Sequence, residues 1–392
     1  MKNPCPTLIT TVAIFAASLT IRAEGWETYE QVGLFPIDLA AQADGSFAYV
    51  VGDYQSPGSP TTIPKVRRGA NGGTLWEDAT LPEQCYRADK LAAAPDGTIY
   101  LTGWRFLEGG TTRAPRVWAS ADRGTTWREV AILFSRSIFD ISVDAAGNVF
   151  LCTSRQTGTT AKYPVTNLVT YKGQPDPDAL LGMNWTMVDD YSATGQYANF
   201  AKTLTIRPPA DGNSSAEIWV AGYFVDSKTL GSYSPLVRRS LDGGINWATV
   251  STWTVPSGYS FGSGSWSTVA AADPDGIAYA TASYGKKVGK DTQRYWLTYC
   301  STDAGAHWTL KDTVSVGSAF GPDGIATDIF GGVFLTGGGV TRASVNGGTI
   351  WGTVSAVPGG WCVTADLAGN VFVGGSGTDG AIYKLPAPPT AP

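Results

Sequence analysis

The chain has 392 residues and a formal net charge of -5 at pH 7, and charged residues make up only 16% of it. So small a charge argues against a nucleic-acid partner and against docking on an anionic membrane. Glycine, tryptophan and tyrosine are abundant, and apolar residues alternate along the chain instead of following a helical period. This pattern is typical of many short strands joined by tight turns, so we expect an all-β protein.

Residues 1–23 are typical of an export signal. A cation at Lys2 is followed by an apolar run over 8–19 and by the small residue Ala23. This is the order of a charged region, an apolar region and a cleavage site, and the run is too short to span a membrane. We expect cleavage after Ala23, with Ala17 as an alternative, and a mature protein that is secreted or periplasmic without membrane insertion.

The cysteines predict neither a lipid anchor nor a metal centre. Cys5 lies inside the signal, before any cleavage point, and the other four are far apart without a CxxC pair: Cys85, Cys152, Cys300 and Cys362. Metal-ligand spacing is therefore absent, and no cofactor is predicted. Export would allow disulfides, but these four cysteines fall in different repeat units, so we expect buried free thiols.

One short motif returns along the chain. Residues 120–127 read SADRGTTW, and the same spacing of Ser, Asp or Asn, Gly and Trp recurs at 240–247, 301–308 and 344–351, with a worn copy at 69–76. An internal repeat outranks other signals when a fold is inferred from sequence.

A second repeat alternates with the first. A tight turn followed by an alternating strand occurs seven times, at 43–52, 95–103, 145–153, 210–222, 274–282, 330–338 and 367–375. Each copy is preceded by a short apolar strand. The two repeats together predict a unit of four antiparallel strands, a to d, in which strand d begins at a tryptophan. Those tryptophans are Trp76, Trp127, Trp185, Trp247, Trp308 and Trp351.

Six such tryptophans leave one of the seven units without strand d. Residues 25–29 resemble a strand d with no unit before it, and the chain ends over 361–385 with strands a, b and c alone. An N-terminal strand that completes the last unit would close a ring and cover the open sheet edges. We therefore predict a seven-bladed β-propeller over 24–386, followed by a Pro-rich tail at 387–392.

SADRGTTW, SLDGGINW and STDAGAHW resemble the Asp-box, or BNR, repeat (S/T-x-D-x-G-x-T-W). That repeat is found in sialidases, xyloglucan-hydrolysing propellers, sortilin-type receptors and a photosystem assembly factor. The resemblance implies the propeller fold but no single activity, because these proteins share little chemistry.

We expect the residues of this motif to be structural. The carboxylate can accept N–H groups of its own turn, the glycine supplies a positive φ, and the tryptophan packs on the neighbouring blade. Asparagine replaces the acid at 71 and 346, which a turn tolerates and acid–base chemistry would not. The residues in this structural role are Asp122, Trp127, Asp242, Trp247, Asp303, Trp308, Asn346 and Trp351.

The two ends of the predicted units differ. The a–b and c–d turns are short and share one face, while the b–c and d–a connections share the opposite face. We call the latter the long-loop face, because connections such as 53–63, 104–115, 223–234 and 284–295 are long. Long loops on a rigid scaffold usually carry binding or catalysis.

Two sets of candidate residues fall on the long-loop face. Three successive units begin strand a near Asp38, Asp89 and Asp140, and Lys202 lies in the equivalent region of the fourth. The second set consists of aromatic residues that could stack on a ligand: Tyr54, Trp104, Tyr223, Trp266, Tyr284 and Trp361. Carboxylates beside aromatic rings suit a polar, neutral ligand with flat apolar faces, such as a glycan. Alternatively, the aspartates are solvated or cap backbone amides, and the aromatic residues bind nothing.

Two classes of function fit this sequence. The first is an exported, non-catalytic, monomeric binding module whose ligand is a glycan or a protein partner. The second is a glycoside hydrolase that draws two carboxylates, roughly 5 to 10 Å apart, from Asp38, Asp89 and Asp140. A sialidase is disfavoured because the early stretch 34–38 reads LFPID and lacks the arginine of the sialidase motif. The single histidine, His307, lies in a repeated turn, so triad chemistry is not expected.

Overall fold

A computed structural model defines the protein over the following residues: 26–31, 35–42, 44–55, 62–70, 75–107, 113–132, 137–159, 164–192, 196–207, 215–226, 233–261, 268–317, 321–344, 346–354, 357, 359–375 and 380–387. Every regular element in these ranges is a β-strand. Among the described residues there is no helix long and apolar enough to cross a membrane. The predicted signal peptide and residues 388–392 of the tail lie outside the described residues.

The first two sheets each contain four antiparallel strands in chain order. One sheet consists of β2 (Phe35–Ala41), β3 (Phe47–Gln55), β4 (Thr62–Ala70) and β5 (Leu75–Ala79). The next consists of β6 (Cys85–Ala93), β7 (Ile99–Phe106), β8 (Arg113–Ser120) and β9 (Arg128–Ile132).

Two further four-stranded groups are joined by a single parallel bridge between Thr166 and Ala198. The first group is β10 (Ser137–Val143), β11 (Val149–Thr159), β12 (Pro164–Pro175) and β13 (Met183–Tyr191). The second is β14 (Gln196–Arg207), β15 (Glu217–Asp226), β16 (Tyr233–Ser240) and β17 (Ala248–Thr249).

The remaining strands form three sheets, and the last of these recruits the N-terminal strand. A five-stranded sheet contains β18 (Tyr259–Ser260), β19 (Thr268–Ala272), β20 (Ala278–Val288), β21 (Asp291–Ser301) and β22 (Thr309–Gly317). A four-stranded sheet follows with β23 (Gly324–Thr327), β24 (Val333–Gly337), β25 (Val340–Ser344) and β26 (Gly352–Thr353). The last contains β27 (Gly360–Ala365), β28 (Val371–Gly375), β29 (Ala381–Leu385) and β1 (Glu27–Gln31), which pairs antiparallel with β29.

The prediction of an all-β chain built from four-stranded antiparallel units is confirmed. Each copy of the second repeat forms the second strand of its group, as β3, β7, β11, β15, β20, β24 and β28. Residues 284–295, however, do not form a long loop, since β20 and β21 stay paired as far as Val288 and Asp291. Gly289 has a φ of 64°, the left-handed conformation that a two-residue hairpin turn requires.

Neighbouring sheets pack against each other through the apolar faces of their strands. Leu39 and Val50 of the β2–β5 sheet, for example, share a cluster with Phe372 and Ile382 of the last sheet. Burial of one such side chain stabilises the fold by about 1.5–3 kcal/mol. This packing holds the first strand of each four-stranded group in a fixed position around a common cavity.

The repeated turns satisfy their own polar groups. Asp122 accepts backbone N–H groups from Thr125 and Thr126 at 3.1 and 2.8 Å, and Ser120 Oγ accepts the N–H of Gly124 at 2.8 Å. The turns around Asp242 and Asp303 repeat this pattern, and the Asn346 side chain accepts from Ile350 at 2.9 Å.

Several tryptophans fasten one sheet to the sheet before it. The indole N–H donates to a backbone carbonyl of the preceding sheet from Trp127 to Thr80, from Trp185 to Val130 and from Trp308 to Val250. Trp247 and Trp351 instead donate within their own turns, to Gly244 and Gly348. Four of the tryptophans, Trp127, Trp247, Trp308 and Trp351, lie one residue before the outer strand instead of inside it.

Candidate binding site at the mouth of the central cavity

The first strand of each four-stranded group, here called the inner strand, begins on the long-loop face with a bulge. Five inner strands carry one extra residue at the same place opposite their partner strand: Ile37, Asp89, Phe139, Lys202 and Trp361. Bulges redirect side chains and are enriched beside functional sites. The repeated bulge therefore delivers five unlike side chains to one end of the molecule.

Glycine makes room for the bulge on the partner strand. A Cβ at Gly103 would lie 2.0 Å from the carbonyl oxygen of Arg87, and one at Gly222 would lie 1.9 Å from that of Phe200. The glycine that ends the second sequence repeat at 103 and at 222 is thus explained by this close approach.

The bulge separates Asp89 from Asp38 and Asp140, with which the sequence prediction groups it. Asp38 and Asp140 occupy the position after the bulge, whereas Asp89 and Lys202 are bulge residues. A shift of one residue turns a side chain to the other face of a strand. The three aspartates therefore do not form one equivalent set.

Asp38 and Asp140 each hold the backbone of the next inner strand. Asp38 Oδ2 accepts the N–H of Leu91 at 2.8 Å, and Asp140 Oδ2 accepts that of Leu204 at 2.7 Å. At the same position of β14, Thr203 Oγ1 accepts the N–H of Ala270 at 3.4 Å. These contacts agree with the amide-capping alternative for the two aspartates.

Lys90 lies between these two carboxyl groups. Its Nζ is 3.4 Å from Asp38 Oδ1, and although burial alone would lower the pKa of Lys90, the charges of Asp38 and Asp140 outweigh burial and raise it. Burial raises the pKa of Asp38 and, with the charge of Asp38 added, raises that of Asp140 to about 6, while Lys90 opposes both shifts. The positive charge of Lys90 and the negative charges of the two carboxyl groups therefore stabilise one another. We call Asp38, Lys90 and Asp140 the mouth cluster.

Two cavities meet this cluster. The central cavity, of about 310 Å³, is lined by residues of the inner strands of all groups, among them Asp38, Asp140 and Asp323. The second, which we call the mouth pocket, has a volume of about 290 Å³ and opens beside the bulges. It is lined by Ile37, Arg87, Asp89, Lys90, Trp104, Ser137, Ile138, Phe139 and Lys202.

One wall of the mouth pocket is a fixed arrangement of a cation, a carboxylate and an aromatic ring. Arg87 Nε donates to Asp89 Oδ1 at 2.5 Å, and the Trp104 indole N–H also donates to Asp89. Burial raises the pKa of Asp89, and Arg87 opposes that shift. The pocket thus offers a planar ring beside both a hydrogen-bond acceptor and exposed donors.

A second ion pair joins a residue of the mouth pocket to a residue of the central cavity. Lys202 Nζ of β14 lies 2.8 Å from Asp323 Oδ1, which precedes β23. The other oxygen, Asp323 Oδ2, is buried and has no hydrogen-bond partner among the described residues. One buried acceptor in the lining of the central cavity is thus left without a partner among the described residues.

The aromatic residues predicted to bind a ligand differ in their exposure and in whether they line a pocket. Trp104 lines the mouth pocket and Trp361 is exposed on its bulge, but Tyr284 is fully buried, with its hydroxyl accepting from the Trp253 indole at 2.8 Å. Tyr284 therefore cannot stack on a ligand as expected, because the regular β20–β21 hairpin places it in the core. Tyr223 is half-buried against Phe200 and Tyr233. Trp266 and the side chain of Tyr54 lie outside the described residues.

Several residues of the site escaped sequence reasoning. Arg87, Lys90, Phe139 and Asp323 line the two cavities, yet none belongs to a recognised motif. The glycine of the second repeat is the signal that could have located the bulge and hence these positions. No group of three or more potential metal ligands occurs in the described part of the chain.

Comparison of the sequence with protein-family models gives no match, and no curated protein matches it at a significant level. The fold is similar to solved structures. A structure of YCF48 bound to D1 peptide aligns with a TM-score of 0.56 at 17% identity, covering 93% of this chain and 98% of that chain. At this identity the likeness shows the fold alone, which is a β-propeller.

Two further similar structures are polysaccharide-degrading enzymes. The GH74 xyloglucanase of Xanthomonas campestris aligns with a TM-score of 0.49 at 16% identity, covering 90% of this chain and 59% of that chain. An α-L-arabinanase of Penicillium chrysogenum complexed with arabinobiose aligns with a TM-score of 0.48 at 15% identity, covering 76% and 92%. Neither likeness bears on the choice between binding and catalysis here.

Proposed function

We propose that this chain is a binding module that holds a glycan at the mouth pocket. The observation that carries the proposal is the wall formed by Arg87, Asp89 and Trp104, in which an ion pair lies beside an indole ring that Asp89 fixes in place. Adjacent donors and acceptors suit the hydroxyl groups of a sugar, and an aromatic ring suits its apolar face.

The surroundings of Asp38 and Asp140 favour binding over hydrolysis. Each carboxyl group accepts a backbone N–H of the next inner strand, and Lys90 is shared between them. A general acid must release its proton to a substrate and a nucleophile must reach the anomeric carbon. Carboxyl groups that hold the backbone in place are poorly disposed to either role.

We also propose that the propeller has seven blades, belongs to the Asp-box class and closes its ring with the N-terminal strand. The pairing of β1 with β29 and the cluster that Leu39 shares with Phe372 support closure. The signal-like residues 1–23 support export, and the protein would act as a monomer. A protein partner at the same site is the second kind of ligand, since YCF48 was solved with a bound peptide.

A glycan array probed with the wild type and two variants tests the binding proposal. Trp104→Ala removes the ring and Arg87→Gln removes the charge, so we expect each to weaken every signal by about tenfold or more. Phe330→Ala, an exposed aromatic in a short turn at the opposite face, is the matched control and should bind normally. If no glycan binds, or if binding ignores Trp104, the proposal is wrong.

A glycoside hydrolase is the second candidate, favoured by the pKa of about 6 at Asp140, which suits a general acid. Asp38, near the same lysine, would then be the partner carboxylate. The wild type should release reducing ends from any glycan that it binds, and Asp140→Asn should not. Intact glycan after prolonged incubation would exclude this candidate.

A further inference from the structure

In the ion pairs around the mouth pocket, the cations lie nearer to solvent than the carboxylates. In each of three pairs the cation is the more exposed partner: the side chains are 60% and 14% exposed in Arg87–Asp89, 36% and 14% in Lys202–Asp323, and 22% and 13% in Lys90–Asp38. Two of the carboxylates, Asp38 and Asp323, line the central cavity and not the mouth pocket. The pocket thus presents three cations and one carboxylate to a ligand, although the protein as a whole is acidic.

The aromatic content of the pocket restricts the anion further. The rings of Trp104 and Phe139 and the apolar side chain of Ile37 line the same space as the three cations. Inorganic anions would use the charges and leave these apolar surfaces uncovered. A ligand that uses the whole lining must combine an anionic group with a flat apolar face.

A second aromatic surface continues from the pocket across the ends of strands β6, β7 and β8. Tyr86 and Phe106 are exposed and meet edge to face with their ring centroids 4.7 Å apart. The Arg113 guanidinium lies 4.3 Å above the Tyr86 ring and forms no ion pair with any described residue. Tyr86 precedes Arg87, and Phe106 follows Trp104 by two residues on β7, so this surface adjoins the pocket wall.

We infer that the mouth pocket and the adjoining Tyr86–Phe106–Arg113 surface bind an oligosaccharide of uronic acids. A uronic acid combines in one residue the carboxylate that an arginine binds and the pyranose face that stacks on an aromatic ring. The pocket would hold one such residue, and Arg113 with Tyr86 would hold a neighbour. This inference rests on the proposed glycan-binding function and replaces the neutral ligand expected from the sequence with an acidic one.

An acidic polypeptide is the competing ligand, because arginines and tyrosines also dominate protein interfaces. Its carboxylates stand on flexible side chains without an attached ring, so Trp104 and Phe139 would be used less completely. The saccharide accounts for the charges and the rings with one repeating unit.

The test is calorimetric titration of the full chain with tetrasaccharides of galacturonate, glucuronate, mannuronate and guluronate, each beside its methyl ester. The ester keeps the ring and linkage but removes the charge. We expect at least one acid form to bind, its ester to bind at least tenfold more weakly, and its affinity to fall with added salt. Equal binding of acid and ester would overturn the inference while leaving glycan binding intact.

Variants locate the site. Arg113→Gln should reduce affinity for the acid form by about tenfold and change affinity for the ester by less than about twofold, whereas Arg87→Gln, which also removes donors to sugar hydroxyl groups, should weaken both forms and weaken the acid form more. Lys287→Gln, an exposed lysine of the β20–β21 hairpin on the same face without an ion pair to the described residues, is the matched control and should change neither. A control variant as weak as Arg113→Gln would mean diffuse charge attraction and would contradict a defined site.

Two further outcomes separate the proposals. If neutral glycans bind in a Trp104-dependent manner but none of the four uronates does, the inference fails and the proposed function stands. If a glutamate-rich peptide binds through Arg87 and no saccharide binds at all, both fail in favour of a protein ligand.

Discussion

The pKa values of aspartates are shifted in opposite directions in two regions of the molecule. In the repeated turns, hydrogen bonds from Thr126 and Ser120 lower the pKa of the exposed Asp122 to about 2, and hydrogen bonds from His307 and Ser301 lower that of Asp303 below its ordinary range. At the mouth of the central cavity, burial raises the pKa of Asp38, Asp89 and Asp140. The carboxylates in the turns are stabilised by water and by hydrogen bonds from their own turn. The carboxylates at the mouth depend on nearby cations.

This contrast separates the parts of the chain that fix the fold from the parts that can recognise a ligand. A turn that satisfies itself can be copied along the chain, as the copies at 240–247 and 301–308 are. The mouth cluster cannot be copied, because Lys90 compensates carboxyl groups from two different inner strands. Residues that occur once, at a repeated position, are therefore the better functional candidates.

Lys90→Met should have the largest effect on stability. It leaves Asp38 and Asp140 without their shared cation, and loss of one partner from a buried ion pair costs about 3–5 kcal/mol. Urea denaturation at pH 7 measures the free energy of unfolding. The loss should shrink at pH 4, where the carboxyl groups take up protons, and Asp38→Asn in the same chain should restore part of it. A loss below about 1 kcal/mol at pH 7 would contradict the cluster.

Ser301→Ala should have the next largest effect. The buried Ser301 Oγ accepts the N–H of Gly305 at 2.8 Å and donates to Asp303. Its removal leaves a buried donor unsatisfied, which costs about 1–3 kcal/mol. Unlike the loss in Lys90→Met, this loss should be the same at pH 4 and pH 7. A strong pH dependence would mean that the turns and the mouth are not energetically separate.

The pH dependence of stability distinguishes the two sets directly. The folded pKa of Asp140 lies above its unfolded value of about 3.9, so its contribution is complete below pH 4 and is lost as the pH rises through about 6. The turn aspartates, with lowered pKa values, act only near pH 2–4. Between pH 4 and 7 the free energy of unfolding should therefore fall less steeply in Asp140→Asn than in the wild type. Parallel curves would show that Asp140 titrates normally.

Asp242→Asn should have the smallest effect. Asparagine occupies the same place at 346, where its side-chain oxygen still accepts the N–H of Ile350. The melting temperature should change less than in Ser301→Ala, because the serine bond to the turn glycine is retained. A larger change would imply that the charge itself is required.

Most of the fold follows from the sequence because repetition reveals it. The turn glycines, the alternating strands and the tryptophans recur at similar spacing, and each copy supports the others. The hairpin at 284–295 departs most from the prediction, since polar residues there resemble a loop although Gly289 permits a tight turn.

The site is less predictable because it depends on register. The sequence indicates that Asp38, Asp89 and Asp140 lie at one end of the molecule, and they do. It does not indicate that one extra residue turns Asp89 into the mouth pocket, that Lys90 lines the same pocket, or that Asp323 lines the central cavity. Contacts such as Lys202 with Asp323 join residues 121 positions apart, which no local pattern encodes.

The most direct test of the account is to follow reducing ends when the wild type and Asp140→Asn are each incubated with an oligosaccharide that the mouth pocket binds. We expect both proteins to bind the ligand and neither to release new reducing ends, because Asp38 and Asp140 hold the backbone of the neighbouring inner strands. Release by the wild type that disappears in Asp140→Asn while binding persists would contradict it.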